Sequence, residues 1–164
     1  MNGAEYKESL FDGRATYFEG ERIEDLPGHP LLGIAVGHAA SGYDWMMEHA
    51  VDGHSPLAGV PTTPAELRAK VDLVHASGMM SHVTYTSIMT LATTVGRIKD
   101  TAPQYVEQIN AFIDGAQERD VRITQCITDA KGDRSRPPAR QDDPDAYVHV
   151  VGRQSDGVVI RGAK

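Results

Sequence analysis

The segment Thr128-Asp-Ala-Lys-Gly-Asp-Arg-Ser135 concentrates residue types that can do chemistry: two hydroxyls, a glycine and closely spaced opposite charges. Gly132 permits backbone N–H groups to face an anion, while Lys131 and Arg134 supply fixed positive charge. The planar fork of Arg134 suits carbonyl or phosphate oxygens. The chemistry on offer is capture of a polar or anionic ligand. The same composition also suits a solvated connector whose surface ion pairs contribute ~0–1 kcal/mol each. Spacing alone leaves both readings open, because loops of this composition are common.

Elsewhere the reactive side chains form no set. His38 and His49 do not share a helical face at ligand spacing, and His54 and His75 stand alone, so these histidines read as structural or surface residues. Trp45 with Met46 and Met47 has the make-up of a ligand wall, but such clusters are usually core. The sequence has no Gly-x-Gly-x-x-Gly, no Walker loop and no Ser-His-acid set. The single cysteine, Cys126, cannot form an internal disulfide or by itself hold a zinc or iron–sulfur centre. A formal charge of -7 with no local run of Lys and Arg opposes a nucleic-acid partner. No apolar run approaches the ~20 residues of a membrane span, and Met1 to Glu8 lacks the apolar stretch of a secretory signal. The expected compartment is the cytoplasm.

The elements that must position the loop are mainly helical. Ala15 to Ile23 alternates β-formers around Glu19-Gly20, where Gly20 suits a tight turn, so a small hairpin is predicted. Pro27-Gly28-His29-Pro30 ends it. Leu31 to Ala50 reads as a helix weakened by Gly33, Gly37 and Gly42, followed by a loop from Asp52 to Pro61. Thr63 can cap the next helix, Pro64 fits its first position and Glu66 completes a capping box; Leu67, Val71 and Val74 then repeat at helical spacing, with the end near Gly78. Met79 to Lys99 has the composition of a helix buried on most sides. Pro103 opens another, with Tyr105, Ile109, Phe112 and Ala116 as its stripe. Val121 to Thr128 is β-branched, and Asp129 to Asp145 is a long loop. Tyr147 to Val151 and Val158 to Ile160 flank Gln154-Ser-Asp-Gly157 as a hairpin. A lone hairpin with apolar residues on both faces is marginal in water, so further chain is expected beyond Lys164.

Thr128-Asp-Ala-Lys-Gly-Asp-Arg-Ser-Arg-Pro-Pro, Asp143-Pro-Asp-Ala-Tyr-Val-His-Val-Val151 and Ser155-Asp-Gly-Val-Val-Ile-Arg-Gly-Ala-Lys164 together resemble the family of 4-hydroxyphenylacetate 3-hydroxylases and 4-hydroxybutyryl-CoA dehydratases. Ser9-Leu-Phe-Asp-Gly-Arg14, Gly20-Glu-Arg-Ile-Glu-Asp25 and His29-Pro30 resemble that family's opening hairpin. The resemblance covers nearly all of the chain. It implies an acyl-CoA dehydrogenase-like fold: a helical N-terminal domain over residues 1–128, then the flavin loop and first strands of an incomplete β-barrel domain over residues 129–164. Complete members add the rest of the barrel and a C-terminal helical bundle, and commonly self-associate.

The resemblance places Lys131, Gly132, Asp133 and Arg134, with Thr128, at FAD. It implies reduced flavin, supplied by a separate reductase, that reacts with oxygen to hydroxylate a phenol, as in aromatic catabolism. Where aromatic hydroxylases of the family hold the phenol with a histidine, this sequence has Gln125. Where the dehydratases carry cysteines for an iron–sulfur cluster, it has Val83 and Ser87, so no cluster is expected. His82 and Tyr85 lie near the family's substrate side, where such a pair can orient a phenol or an acyl group; on an apolar helix they are more often core residues. Three functions remain open: a monooxygenase segment, an acyl-CoA dehydratase or dehydrogenase segment, and a non-catalytic helical subunit or gene remnant that needs a partner chain carrying the barrel and bundle.

Overall fold

The computed structural model describes residues 1–77 and 82–164, and the side chain of His82 lies outside the described set. The chain divides into two compact units, Met1–Thr124 and Gln125–Lys164.

The first unit opens with α1 (Gly3–Glu8), an element not anticipated from the sequence. Asn2 and Glu5 form a reciprocal capping box: Glu5 N donates to Asn2 Oδ1 at 2.9 Å and Asn2 N to Glu5 Oε2 at 2.8 Å. A helix this short needs tertiary support, and it packs on α2 (Leu32–Glu48). Tyr6 stacks on Tyr43 with ring centres 4.8 Å apart. Gly3 N donates to Asp44 Oδ1 at 2.8 Å, and a Cβ on Gly3 would lie 2.5 Å from Ala40 O. Gly3→Ala is therefore expected to lift α1 from α2 and destabilise the unit by ~1–3 kcal/mol, read as a lower melting midpoint with loss of near-UV tyrosine dichroism. An unchanged melt would mean that α1 is not docked there.

The hairpin β1 (Thr16–Phe18) and β2 (Glu21–Ile23) forms as predicted, with Thr16 opposite Ile23. Both turn residues, Glu19 and Gly20, take positive φ, as a tight primed turn requires. α2 buries Val36, Ala39, Ala40, Tyr43 and Met46. Tyr43 Oη donates to Asp120 O at 3.0 Å, and the Met1 ammonium pairs with Asp120 Oδ2 at 2.9 Å. Burial, then the Asp120 charge, pushes the Tyr43 phenol up.

α3 (Pro64–Ser77) starts on the predicted capping box, with Glu66 N donating to Thr63 Oγ1 and Thr63 N to Glu66 Oε2. Its stripe is corrected by the structure. Leu67 and Val71 are 44% and 53% exposed, and the buried residue of the helix is Lys70. Gly78, the expected end, lies outside the described residues, as do Met79 to Ser81 of the next predicted helix.

α4 (His82–Ile98) packs on α5 (Val106–Glu118), which a 3₁₀ turn at Pro103–Tyr105 precedes. Ala58, Ile88 and Ile113 form the core cluster, with Val60, Leu91, Ala92, Ile109 and Ile123 packed around it. α4 is thus buried along one side rather than on most sides: Ser87 and Ile88 are buried, whereas Thr90 and Thr93 are exposed. The α5 stripe is rotated too. Ile113 and Ala116 face inward, while Tyr105 and Phe112 are about half exposed. Val121 to Thr128 forms no strand. A strand needs a ladder partner, and Ile123 N instead donates to Thr84 Oγ1 at 3.0 Å.

In the second unit, the long loop carries a 3₁₀ turn at Pro138–Arg140. β3 (His149–Gln154) pairs antiparallel with β4 (Gly157–Arg161), with an irregularity between Val150 and Gly152. The predicted hairpin turn is present.

Candidate functional site

The Thr128–Ser135 segment belongs to the second unit, and Gln141 organises it. The carboxamide Oε1 of Gln141 accepts from Asp133 N at 2.8 Å, and its Nε2 donates to Asp133 O at 2.9 Å and to Arg136 O at 3.2 Å. Gly132 is needed for space: a Cβ there would run into the Gln141 side chain and lie 2.9 Å from Tyr147 Cε2. The motif residues are thus folded back on Gln141, eight residues beyond Asp133.

Charge is distributed unevenly along this loop. Asp133 Oδ1 accepts from Ser135 N and Ser135 Oγ at 2.9 and 2.6 Å, and Asp133 Oδ2 pairs with Arg136 Nε at 3.1 Å. The Ser135 hydrogen bonds hold the Asp133 carboxyl below the usual carboxylate range. Arg136 also pairs with Asp142 at 2.5 Å. By contrast, Lys131, Arg134 and Thr128 are exposed and make no hydrogen bond or ion pair among the described residues. Two of the backbone donors expected to face an anion are spent inside the loop, Gly132 N on Ala130 O at 3.0 Å and Asp133 N on Gln141 Oε1, whereas those of Lys131 and Arg134 have no partner among the described residues. A ligand finds two cationic side chains, one hydroxyl and these two backbone N–H groups.

The other sequence candidates fall in both units. Gln125 opens the second unit and is exposed. Tyr85 belongs to α4 in the first unit, with its ring centre 5.5 Å from Lys70 Nζ. His82 starts the same helix, with its side chain outside the described residues. Ser87, at the position where the resemblance places a cysteine, donates Oγ to Val83 O at 2.8 Å. No group of three or more His, Cys, Asp or Glu among the described residues is arranged to hold a metal ion. No described helix is long and apolar enough to cross a membrane.

Sequence reasoning missed two polar side chains. Gln141 carries no local signal, because a side chain bonding to backbone eight residues away leaves no periodic trace. Lys70 was visible in principle: it lies three residues after Leu67 and four before Val74, on the face that the periodicity assigned to packing.

Known proteins resemble this chain along nearly all of its length. The 4-hydroxybutyryl-CoA dehydratase/vinylacetyl-CoA-Δ-isomerase of Clostridium aminobutyricum is 26% identical over 100% of this chain and 38% of its own length. The 4-hydroxyphenylacetate 3-monooxygenase oxygenase component of a Geobacillus species is 25% identical over 99% of this chain and 37% of its own. The chain thus spans a little over a third of these relatives. A solved oxygenase component of 4-hydroxyphenylacetate 3-monooxygenase, complexed with FAD and 4-hydroxyphenylacetate, superposes with a TM-score of 0.78 at 25% identity, covering 99% of this chain and 37% of that one. The architecture is accordingly that of the N-terminal part of an acyl-CoA dehydrogenase-like fold. The family described as 4-hydroxyphenylacetate 3-hydroxylase N terminal matches residues 2–164, from the α1 capping box through the loop and the last hairpin, and the chain belongs to that family.

Proposed function

We propose that this chain forms the helical front and the flavin-contact loop of a flavin-dependent monooxygenase similar to 4-hydroxyphenylacetate 3-monooxygenase. Lys131, Gly132, Asp133 and Arg134, with Thr128, contact FAD. Residues 129–164 open a β-barrel that further polypeptide completes, in the same chain or in a partner chain that also carries the C-terminal bundle. The observation that carries this reading is agreement with the family over residues 2–164, including a loop whose cations Lys131 and Arg134 have no hydrogen-bond or ion-pair partner among the described residues.

The loop's donors fit the cofactor. Arg134 and Lys131 offer charged hydrogen bonds to carbonyl or phosphate oxygens, and Thr128 offers a hydroxyl. The Asp133 carboxylate, tied to Ser135 and Arg136, is turned to internal bonds rather than left to repel an anionic ligand. Reduced FAD from a separate reductase supplies the oxygen activation, and the protein's share is to bind, orient and exclude water. Tyr85, with His82 three residues before it, is the candidate for orienting a phenol from α4. Gln125 stands where the family's hydroxylases use a histidine, so this side chain contributes hydrogen bonding without a titrating ring. The complete enzyme is expected in the cytoplasm as a homo-oligomer.

A second reading, dehydration or dehydrogenation of an acyl-CoA, is favoured by the likeness to the clostridial dehydratase. Val83 and Ser87 provide no thiolate, so this version proceeds without an iron–sulfur cluster. Flavin titration tests the flavin binding that both readings require. The purified 164-residue chain alone is expected to bind FAD weakly or not at all, because one loop supplies few of the contacts that hold a cofactor. Co-expression with a barrel and bundle segment is expected to restore stoichiometric binding. Tight binding by the chain alone would overturn the partial-pocket reading, and no binding by the reconstituted form would overturn the flavin reading itself.

A further inference from the structure

The first unit contains a cleft of about 750 Å³ between the end of α2, the loop before α3, α3 itself and α5. That volume lies in the range of small-molecule sites, ~300–1,000 Å³. Its walls are largely aliphatic: Val51, Pro56, Val60, Pro61, Ala69 and Leu73 line it, and among the described residues no Phe, Tyr or Trp does. Against these walls stands Lys70, 8% exposed. Its Nζ donates to the carbonyl oxygens of Gly59 and, at 3.4 Å, of Leu57. An ammonium has three donors, so the two carbonyls leave one; the Tyr85 ring centre lies 5.5 Å from Nζ, and no carboxylate pairs with the charge among the described residues. A buried charge without a counter-ion is costly to hold. Burial accordingly pushes the Lys70 ammonium down to about 8.

We propose that this cleft binds a short aliphatic monocarboxylate, whose carboxylate takes the unspent donor of Lys70 and whose hydrocarbon body lies along Val60, Pro61, Ala69 and Leu73. A single negative charge matches a single buried cation. Polyanions are disfavoured by Glu66 and Glu118, which also line the cleft, and amines are repelled by Lys70. Glu66 is itself engaged by Thr62 N, Thr62 Oγ1 and Thr63 N. The proposal does not rest on the flavin reading, since no residue from Thr128 to Arg134 lines the cleft.

The probe is hexanoate, titrated into the ¹⁵N-labelled 164-residue chain at pH 7, with hexylamine and hexanol as controls of the same body and different charge. Hexanoate is expected to shift the amide signals of Gly59, Val60, Ala69 and Leu73 and to bind at least tenfold more tightly than either control. Lys70→Met should weaken it at least tenfold. Between pH 7 and pH 9 the charged fraction of an amine titrating near 8 falls about tenfold, and hexanoate affinity should fall with it. His49, His54, Glu66 and Glu118 share the cleft and Tyr85 faces the amine, so their effect on pH dependence is measured in Lys70→Arg. That variant keeps its charge and should bind hexanoate equally at both pH values. Equal binding of hexylamine, wild-type affinity in Lys70→Met, or shifts confined to other residues would overturn the proposal. If Lys70→Met does not fold, an identical hexanoate affinity of the unmodified chain at pH 7 and pH 9 would overturn it.

Discussion

Arg134→Ala is expected to weaken flavin binding by roughly 10- to 150-fold in a reconstituted form that binds FAD, corresponding to the ~1.5–3 kcal/mol of a charged hydrogen bond. The helical melting transition should stay nearly unchanged. Both expectations follow from the same observation. Arg134 is exposed and makes no contact with a protein partner among the described residues, so its removal orphans nothing. The neighbouring Arg136 is the contrasting case, because it pairs with Asp133 and Asp142 and its loss loosens the loop itself. Flavin titration and a thermal melt on the same preparation decide the matter. Intact flavin affinity with a collapsed melt would mean that Arg134 is a structural residue.

Ile88→Ala should cost the first unit ~2–5 kcal/mol, the range for truncating a buried aliphatic side chain and leaving its cavity. Ile88 is 1% exposed and sits among Ala58, Ile113, Leu91, Ala92 and Ile109, where α4 meets α5. Surrounding residues on two packed helices can relax only partly into the space. Trp45, the single tryptophan of the sequence, lies on α2, so its fluorescence in a denaturant titration follows this unit alone. Leu67→Ala on α3 is the internal control: its side chain is 44% exposed, and its truncation should shift the midpoint far less. A shift for Ile88→Ala no greater than that of Leu67→Ala would mean that the α4–α5 seam is packed differently from the description above.

Turns and caps were legible because their signals are local. Gly20 after Glu19, and Thr63 with Glu66, each specify a backbone state within four residues. Periodicity likewise identified α3 and α5 as helices, and apolar composition α4. What it could not specify was which flank of a helix would be covered. Leu67 and Val71 satisfy the spacing of a packed stripe, yet Lys70 is the residue turned inward, because its ammonium reaches the carbonyls of the 57–59 loop. In α5, Phe112 has the hydrophobicity for the core, but Ile113 and Ala116 take it. Such choices depend on the partner element, which a single segment does not encode. α1 was overlooked although Asn2 and Glu5 spell its cap, since six residues give no repeat to detect. The candidate loop was legible in its residue types and not in its internal wiring. That Gln141 consumes the backbone of Asp133 could not be read from spacing, and it leaves Lys131 and Arg134 as the residues with unspent donors.

The β3–β4 pair has a colloidal consequence. Val150, Val151, Val158, Val159 and Ile160 are all exposed, and among the described residues each strand has only the other as a neighbour. Each outer rim therefore presents unpaired N–H and C=O groups beside β-branched side chains, a template for adding strands from other molecules. Arg153 and Arg161 act as gatekeepers within the ribbon, and the irregularity between Val150 and Gly152 disturbs its register. The net charge of -7 adds mutual repulsion between copies, which dissolved salt screens over about 10 Å at 0.1 M. Low ionic strength is therefore the condition that keeps copies of this chain apart.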